Sequence, residues 1–272
     1  MDRYAVLGNP VKHSRSPRIH QLFAQQLGID MEYRSIHVEL GSFTDTVRHF
    51  FLAGGRGINI TVPFKQEAFQ LAEVHSQRAL RAEAVNTLLL GKNNLYYGDN
   101  TDGVGLLRDL KRLSFPLQGR RILLLGAGGA ARGVLAPLLE AGPAEVTVVN
   151  RDAGRAALLA HAFSDLGKVR SAAYGDLSGS YPVIINATSA SLSGELPPLP
   201  EHILTQGGYA YDMMYGAQPT IFMHWALQAG AAEVHDGLGM LVEQAAEAFF
   251  LWRHQRPDTA PVLAQLRAEL VV

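Results

Sequence analysis

The chain has 272 residues, room for one large domain or two modest ones, and 47% of them are hydrophobic, a normal share for a protein with a real core. Its formal net charge of −1 excludes a broad basic surface, so nucleic acid is not expected as a partner. There is no cysteine, which excludes a disulfide framework, a thiolate metal site and a cysteine nucleophile.

Residues 1–10 lack a basic region followed by a long apolar run, so no secretory signal is expected there. No apolar stretch is long enough to span a bilayer. The expectation is a cytoplasmic globular protein with no membrane partner.

Residues 4–8 form a short apolar run that ends at Gly8-Asn9-Pro10, a strand feeding a turn. Ser16 before Pro17 predicts a helix start with Ser16 as the N-cap. Ile19, Leu22, Phe23 and Leu27 then share one helical face, and Gly28 can end the helix. A strand is predicted over 33–38, a helix over 43–52 and a β-branched strand over 58–62 stopped by Pro63. A helix over 64–73, a strand over 84–90 and a turn at 91–94 follow. Residues 102–113 read as a helix, with Val104, Leu107 and Leu110 three apart. The alternation then restarts: strand 121–125, helix 130–140, strand 146–149, and further strands at 183–186, 209–212 and around Val234. Helices over 238–252 and 261–270 close the chain.

This order predicts an α/β protein in two lobes. The first, residues 1–101 with a mostly parallel sheet, is expected to bind substrate and to be completed by the closing helices at 238–272. The second, residues 102–237, is expected to be a Rossmann-type dinucleotide-binding domain.

The second lobe carries the sharpest motif. Gly126, Gly128 and Ala131 match G-x-G-x-x-G/A directly after an apolar strand and at the opening of a helix. The first glycine allows the tight turn, the second lets the backbone approach a pyrophosphate, and the alanine permits close helix-to-strand packing. Free amides at the helix start then meet the phosphates. At the end of the next strand an acidic residue would hydrogen-bond a ribose hydroxyl, as in NAD enzymes. Here Asn150 and Arg151 stand instead, with Arg155 one helical turn later. A guanidinium suits a 2′-phosphate by charge and by its fork of donors, so NADP is the expected cofactor.

The first lobe holds polar residues at strand ends and turns. Asn59 and Thr61 share one face of a strand, and Lys65 follows at the start of a helix, where an ammonium opposes the helix dipole. Asn86 interrupts an apolar strand and needs a partner if buried. Asp102 either caps the next helix or pairs with Lys65. Ser14 and Ser16 can meet an anion near a helix start. The ten histidines show no ligand spacing, so no metal is expected.

Taken together, GNPVKHSRSP, NITVPFK, AVNT, GDNTDG, GAGGAAR, NR, INATS, YDMMY and DGLGMLVEQAA resemble the shikimate dehydrogenase family, in its order, from residue 8 to about 246. The resemblance implies NADP-dependent, reversible reduction of 3-dehydroshikimate to shikimate in aromatic biosynthesis; no long exposed apolar helix demands a dimer, so a monomer or homodimer is expected. It implies Lys65 and Asp102 as the catalytic pair. Ser14 and Ser16, with Tyr215, would hold the substrate carboxylate, while Asn59, Thr61, Asn86 and Gln244 would meet ring hydroxyls. The cofactor would lie along Gly126, Ala127, Gly128, Gly129, Ala130, Asn150, Arg151, Arg155, Thr188, Met213 and Gly237. The alternative is a quinate/shikimate relative using NAD or both cofactors. Two positions depart from the family pattern: Gln77, where an acidic residue is frequent, and Ile221, where proline is common.

Overall fold

The computed structural model describes residues 1–271 as two compact units. Unit 1 comprises Met1–Gly105 and Val242–Leu266, and unit 2 comprises Leu106–Leu241 with the chain's end.

Unit 1 runs β1 (Asp2–Gly8), α1 (Ser16–Leu27), β2 (Met31–His37), α2 (Phe43–Leu52), β3 (Gly55–Ile60), α3 (Lys65–Leu71), β4 (Val74–His75), α4 (Gln77–Ala82), β5 (Thr87–Leu90) and β6 (Tyr96–Asp99). Its sheet has the order β2-β1-β3-β5-β6-β4. The first three strands run parallel, and β6 pairs parallel with β4. The β5–β6 hairpin enters antiparallel, so the sheet is mixed. Pleat alternation sorts the side chains: Ala5, Leu7, Ile58, Ile60 and Leu88 pack on Phe43, Val47 and Phe51 of α2 and Ala68 of α3. On the other face Tyr4 stacks near Trp252, with ring centroids 4.8 Å apart.

Unit 2 begins within α5 (Asp102–Arg112) and continues β7 (Arg121–Leu125), α6 (Gly129–Glu140), β8 (Glu145–Val149), α7 (Ala153–Ala162), β9 (Val169–Ala172), β10 (Tyr181–Asn186), β11 (Leu204–Asp212), α8 (Ile221–Gln228) and β12 (Glu233–Asp236). Helix α9 (Leu238–Arg253) returns the chain to unit 1, and α10 (Thr259–Val271) ends it. The sheet order β9-β8-β7-β10-β11-β12 is parallel at every pairing, which is the doubly wound order 3-2-1-4-5-6. Its central strands β7 and β10 are covered on both faces and carry continuous apolar runs. Ile122 and Leu124 join one core with Val146, Val148, Val183 and Ile185, while Leu123 and Leu125 join the other with Val149 and Ile184.

Some expectations are corrected. Ser16 is not the N-cap of α1: Arg15 occupies that place with no side-chain cap, because Ser16 and Pro17 already lie in the first turn. Short elements escaped the pattern, among them β4 and α4, which have 2 and 6 residues. They are too brief for either period to register. Helices α7 and α8 were also missed. Ile221 opens α8 at the position proline favours, behind the cap that Thr220 provides to the Met223 amide, so its replacement of proline leaves the helix start intact. Among the described residues no helix is long and apolar enough to cross a membrane.

Candidate active site

In unit 1, strand β3 ends at Ile60, and the chain turns at residues 61–64 into α3. This places Lys65 first in a seven-residue helix with no side-chain cap. Its position against the helix dipole is compensated locally: Lys65 Nζ donates to Asp102 Oδ2 at 2.6 Å. Both groups keep some contact with water, the lysine side chain at 30% exposure and the aspartate at 13%. Asp102 is therefore a pairing group at the head of α5.

The aspartate is held from behind. Asn86, 2% exposed, donates through Nδ2 to Asp102 Oδ1 at 2.7 Å and to Thr101 Oγ1 at 3.0 Å. Its Oδ1 accepts the Thr101 backbone N–H at 2.9 Å. Asn100 accepts the Asp102 amide and donates to the Ala84 carbonyl. One residue back, the Asp99 carboxylate takes two bonds from Arg78, at 2.7 and 2.8 Å, and one from Ser76. Arg78 also reaches Glu247 on α9. Half-buried between two carboxylates, it keeps its charge, since their bonds outweigh the desolvation that would lower its pKa. The segment carrying Asp102 is thus pinned by a charged network rather than left as a mobile loop.

Of the remaining unit 1 candidates, Asn59 and Gln244 attach to the same framework. Asn59 donates to the Asn86 carbonyl at 3.2 Å and to Thr87 Oγ1 at 3.0 Å. Thr101 Oγ1 donates to Gln244 Oε1 at 3.3 Å, which ties α9 to the site. The Ser16 amide donates to Ser14 Oγ at 3.3 Å. Thr61 continues from β3 four residues before Lys65, its amide bonded to the Leu7 carbonyl. Tyr215 follows β11 and belongs to unit 2.

The cofactor candidates sit at carboxyl ends of the parallel strands, where open α/β sheets bind ligands. Gly126 follows β7 with φ 104°, and its amide donates to the Val149 carbonyl at 2.7 Å. A side chain there would also meet Thr188 Cγ2 at 3.1 Å. Gly128 and Gly129 open α6, and a Cβ on either would meet nothing within 4 Å. Bare backbone with open space at a helix start fits a dinucleotide pyrophosphate, with Ala127 and Ala130 flanking it. Asn150 and Arg151 follow β8, and Arg155 lies in the first turn of α7. Both arginines are exposed. Asp152 caps α7, its Oδ1 accepting the Arg155 amide at 3.2 Å. Gly237 lies so close to β11's end that a Cβ would meet the Met213 carbonyl oxygen at 2.1 Å. That close approach explains the glycine.

Sequence reasoning passed over the polar lock beneath this region. Asn186 at the end of β10 donates to Asp212 Oδ1 at 3.0 Å and accepts from Thr188 Oγ1 at 2.7 Å. Asp212, fully buried, also accepts from Ser191, Thr220 and the Met214 amide. Burial raises its carboxyl above the usual range, and these donors oppose that rise. The signal was present as an asparagine and an aspartate ending two apolar strands.

Among the described residues no group of three or more His, Asp or Glu is placed to hold a metal ion.

A doubly wound sheet with a glycine turn that fits a pyrophosphate, in a chain that also carries a lysine–carboxylate pair, defines a dinucleotide-dependent oxidoreductase. Family models sharpen this: residues 6–88 match the shikimate dehydrogenase substrate binding domain, 109–193 match shikimate / quinate 5-dehydrogenase, and 237–267 match the shikimate 5'-dehydrogenase C-terminal domain. A shikimate dehydrogenase (NADP(+)) of Chromohalobacter salexigens is 56% identical over 269 residues, covering 99% of each chain. A solved Ael1 enzyme from Pseudomonas putida superposes with TM-score 0.94 at 48% identity, covering 98% of each chain. Shikimate 5-dehydrogenase from Thermus thermophilus, solved with NADP(H) and shikimate, does so with TM-score 0.89 at 35% identity, covering 99% of this chain and 100% of its own. The chain belongs to the shikimate/quinate dehydrogenase family.

Proposed function

We propose that this protein catalyses the NADP-dependent, reversible reduction of 3-dehydroshikimate to shikimate in aromatic biosynthesis. The observation that carries this reading is the 2.6 Å Lys65–Asp102 pair braced by Asn86, in a chain whose full-length relatives bear that activity. Unit 1 is assigned to substrate and unit 2 to NADP, the latter supported by the glycine turn and by the two exposed arginines after β8.

NADPH, when bound along Gly126–Ala130 and the β8, β10 and β11 ends, supplies a hydride. The protein's part is alignment and the proton. The Lys65 ammonium hydrogen-bonds the substrate's ketone oxygen and gives it a proton as the carbonyl becomes an alcohol, and the resulting amine is reprotonated from water. In the oxidative direction the amine takes that proton back. Asp102 holds the ammonium in place and supports its charge. Ser14, Ser16 and Tyr215 take the substrate carboxylate, and Asn59, Thr61, Asn86 and Gln244 the ring hydroxyls. Both Asn86 N–H groups already bond Thr101 and Asp102, so Asn86 serves the aspartate at least as much as the ligand. The enzyme is assigned to the cytoplasm, as a monomer or homodimer.

A spectrophotometric assay at about 340 nm, crossing shikimate or quinate with NADP or NAD, tests the reading. Turnover greatest with shikimate and NADP is the expected result. Faster turnover of quinate with NAD would replace it with the quinate/shikimate alternative.

A further inference from the structure

Tyr33 on β2 is not among the residues assigned to substrate, yet it holds one of them. Its hydroxyl donates to Asn59 Oδ1 at 2.7 Å, and the Ser16 side chain lies beside it. Ser16 and Asn59 are themselves buried, at 7% and 6% exposure. The ring is clamped against His20, with centroids 4.2 Å apart and planes 7° apart. His20 is fully buried, and neither of its ring nitrogens has a hydrogen-bond partner, so it serves this site as an aromatic plate.

We propose that Tyr33 is a positioning and specificity residue, whose hydroxyl fixes the orientation of the Asn59 amide. The inference rests on the shikimate reading above. Its consequence is chemical. With Oδ1 turned to Tyr33, both Asn59 N–H groups point at the Asn86 carbonyl and Thr87 Oγ1. A ligand can then meet Asn59 only at its oxygen, so the site selects a substrate group that donates a hydrogen bond: a hydroxyl rather than an ether, a fluorine or a carbonyl.

The test uses full-length protein and direct binding of shikimate and of NADPH. Tyr33→Phe keeps the ring stack and removes the hydroxyl. It should weaken shikimate binding and raise the substrate KM by about 10-fold, the scale of one or two lost hydrogen bonds. kcat and NADPH affinity should stay within about threefold. The double variant Asn59→Ala/Tyr33→Phe should lose little more than Asn59→Ala alone, because Tyr33 acts through Asn59. Shikimate binding within about twofold of wild type, equal loss of NADPH binding, or strictly multiplicative losses would each overturn the role. A second measurement needs no variant. Of three shikimate analogues with fluorine replacing each ring hydroxyl in turn, at least one should bind wild type about 10-fold more weakly, since fluorine cannot donate. If all bind within about twofold of shikimate, the acceptor assignment is wrong. Wild-type protein that binds NADPH but no shikimate would instead refute the function itself, whatever Tyr33 does.

Discussion

Replacing Lys65 by alanine separates chemistry from folding and from cofactor binding. Loss of a positioned proton donor costs about 10²- to 10⁴-fold in rate, so turnover should fall at least ~100-fold, a barrier increase of about 2.7 kcal/mol. The stability cost should be small. Lys65 is 30% exposed, and Asp102 retains its 2.7 Å bond from Asn86 and some contact with water, so no carboxylate is orphaned. An ion pair this open contributes about 0–1 kcal/mol, a melting shift of roughly 2–4 °C at most. NADPH affinity should stay within about twofold, because Lys65 and the glycine turn belong to different units. Initial rates followed by nicotinamide absorbance, NADPH titration by fluorescence and a thermal melt measure the three quantities. Activity within about 10-fold of wild type, or cofactor binding lost in step with turnover, would refute the proton-transfer role.

Gly128→Ala should leave the melting temperature unchanged, since its Cβ meets nothing within 4 Å and φ is −91°, yet weaken NADPH by about 10-fold or more through the space that Cβ takes. Unchanged cofactor binding would move the pyrophosphate elsewhere. Arg151→Ala with Arg155→Ala should raise the KM for NADPH about 10-fold and leave that for NADH nearly unchanged; equal effects on both would deny the arginines a 2′-phosphate. His20 gives a pH signature. Burial lowers its pKa from 6.5 to about 3, so between those values the unfolded chain binds a proton that the folded protein refuses. Stability then falls with falling pH, by up to about 1.4 kcal/mol per unit across that window. His20→Phe should flatten this part of the stability–pH curve, and an unchanged slope would show that imidazole is not its source.

The doubly wound half was the easiest part to read from sequence. Its central strands are buried on both faces, so they stand out as runs such as Ile122–Leu125, and the glycine turn needs small residues at set spacings whatever surrounds it. Lys65 and Asp102 were legible as residue types out of place, an ammonium at a helix start and a carboxylate at the head of another. They stand 37 positions apart, with no local sign between them that they meet. That pairing, the Tyr33–Asn59 bond and the Asn186–Asp212 lock were decided by tertiary structure alone. Each depends on strands distant in sequence becoming neighbours: β1 brings β2 and β3 to its two sides, and β10 and β11 end side by side. Periodicity reports which face of a strand is buried, because burial acts on each residue separately. The partner of a buried polar atom is set by chain topology, which no single stretch of sequence contains.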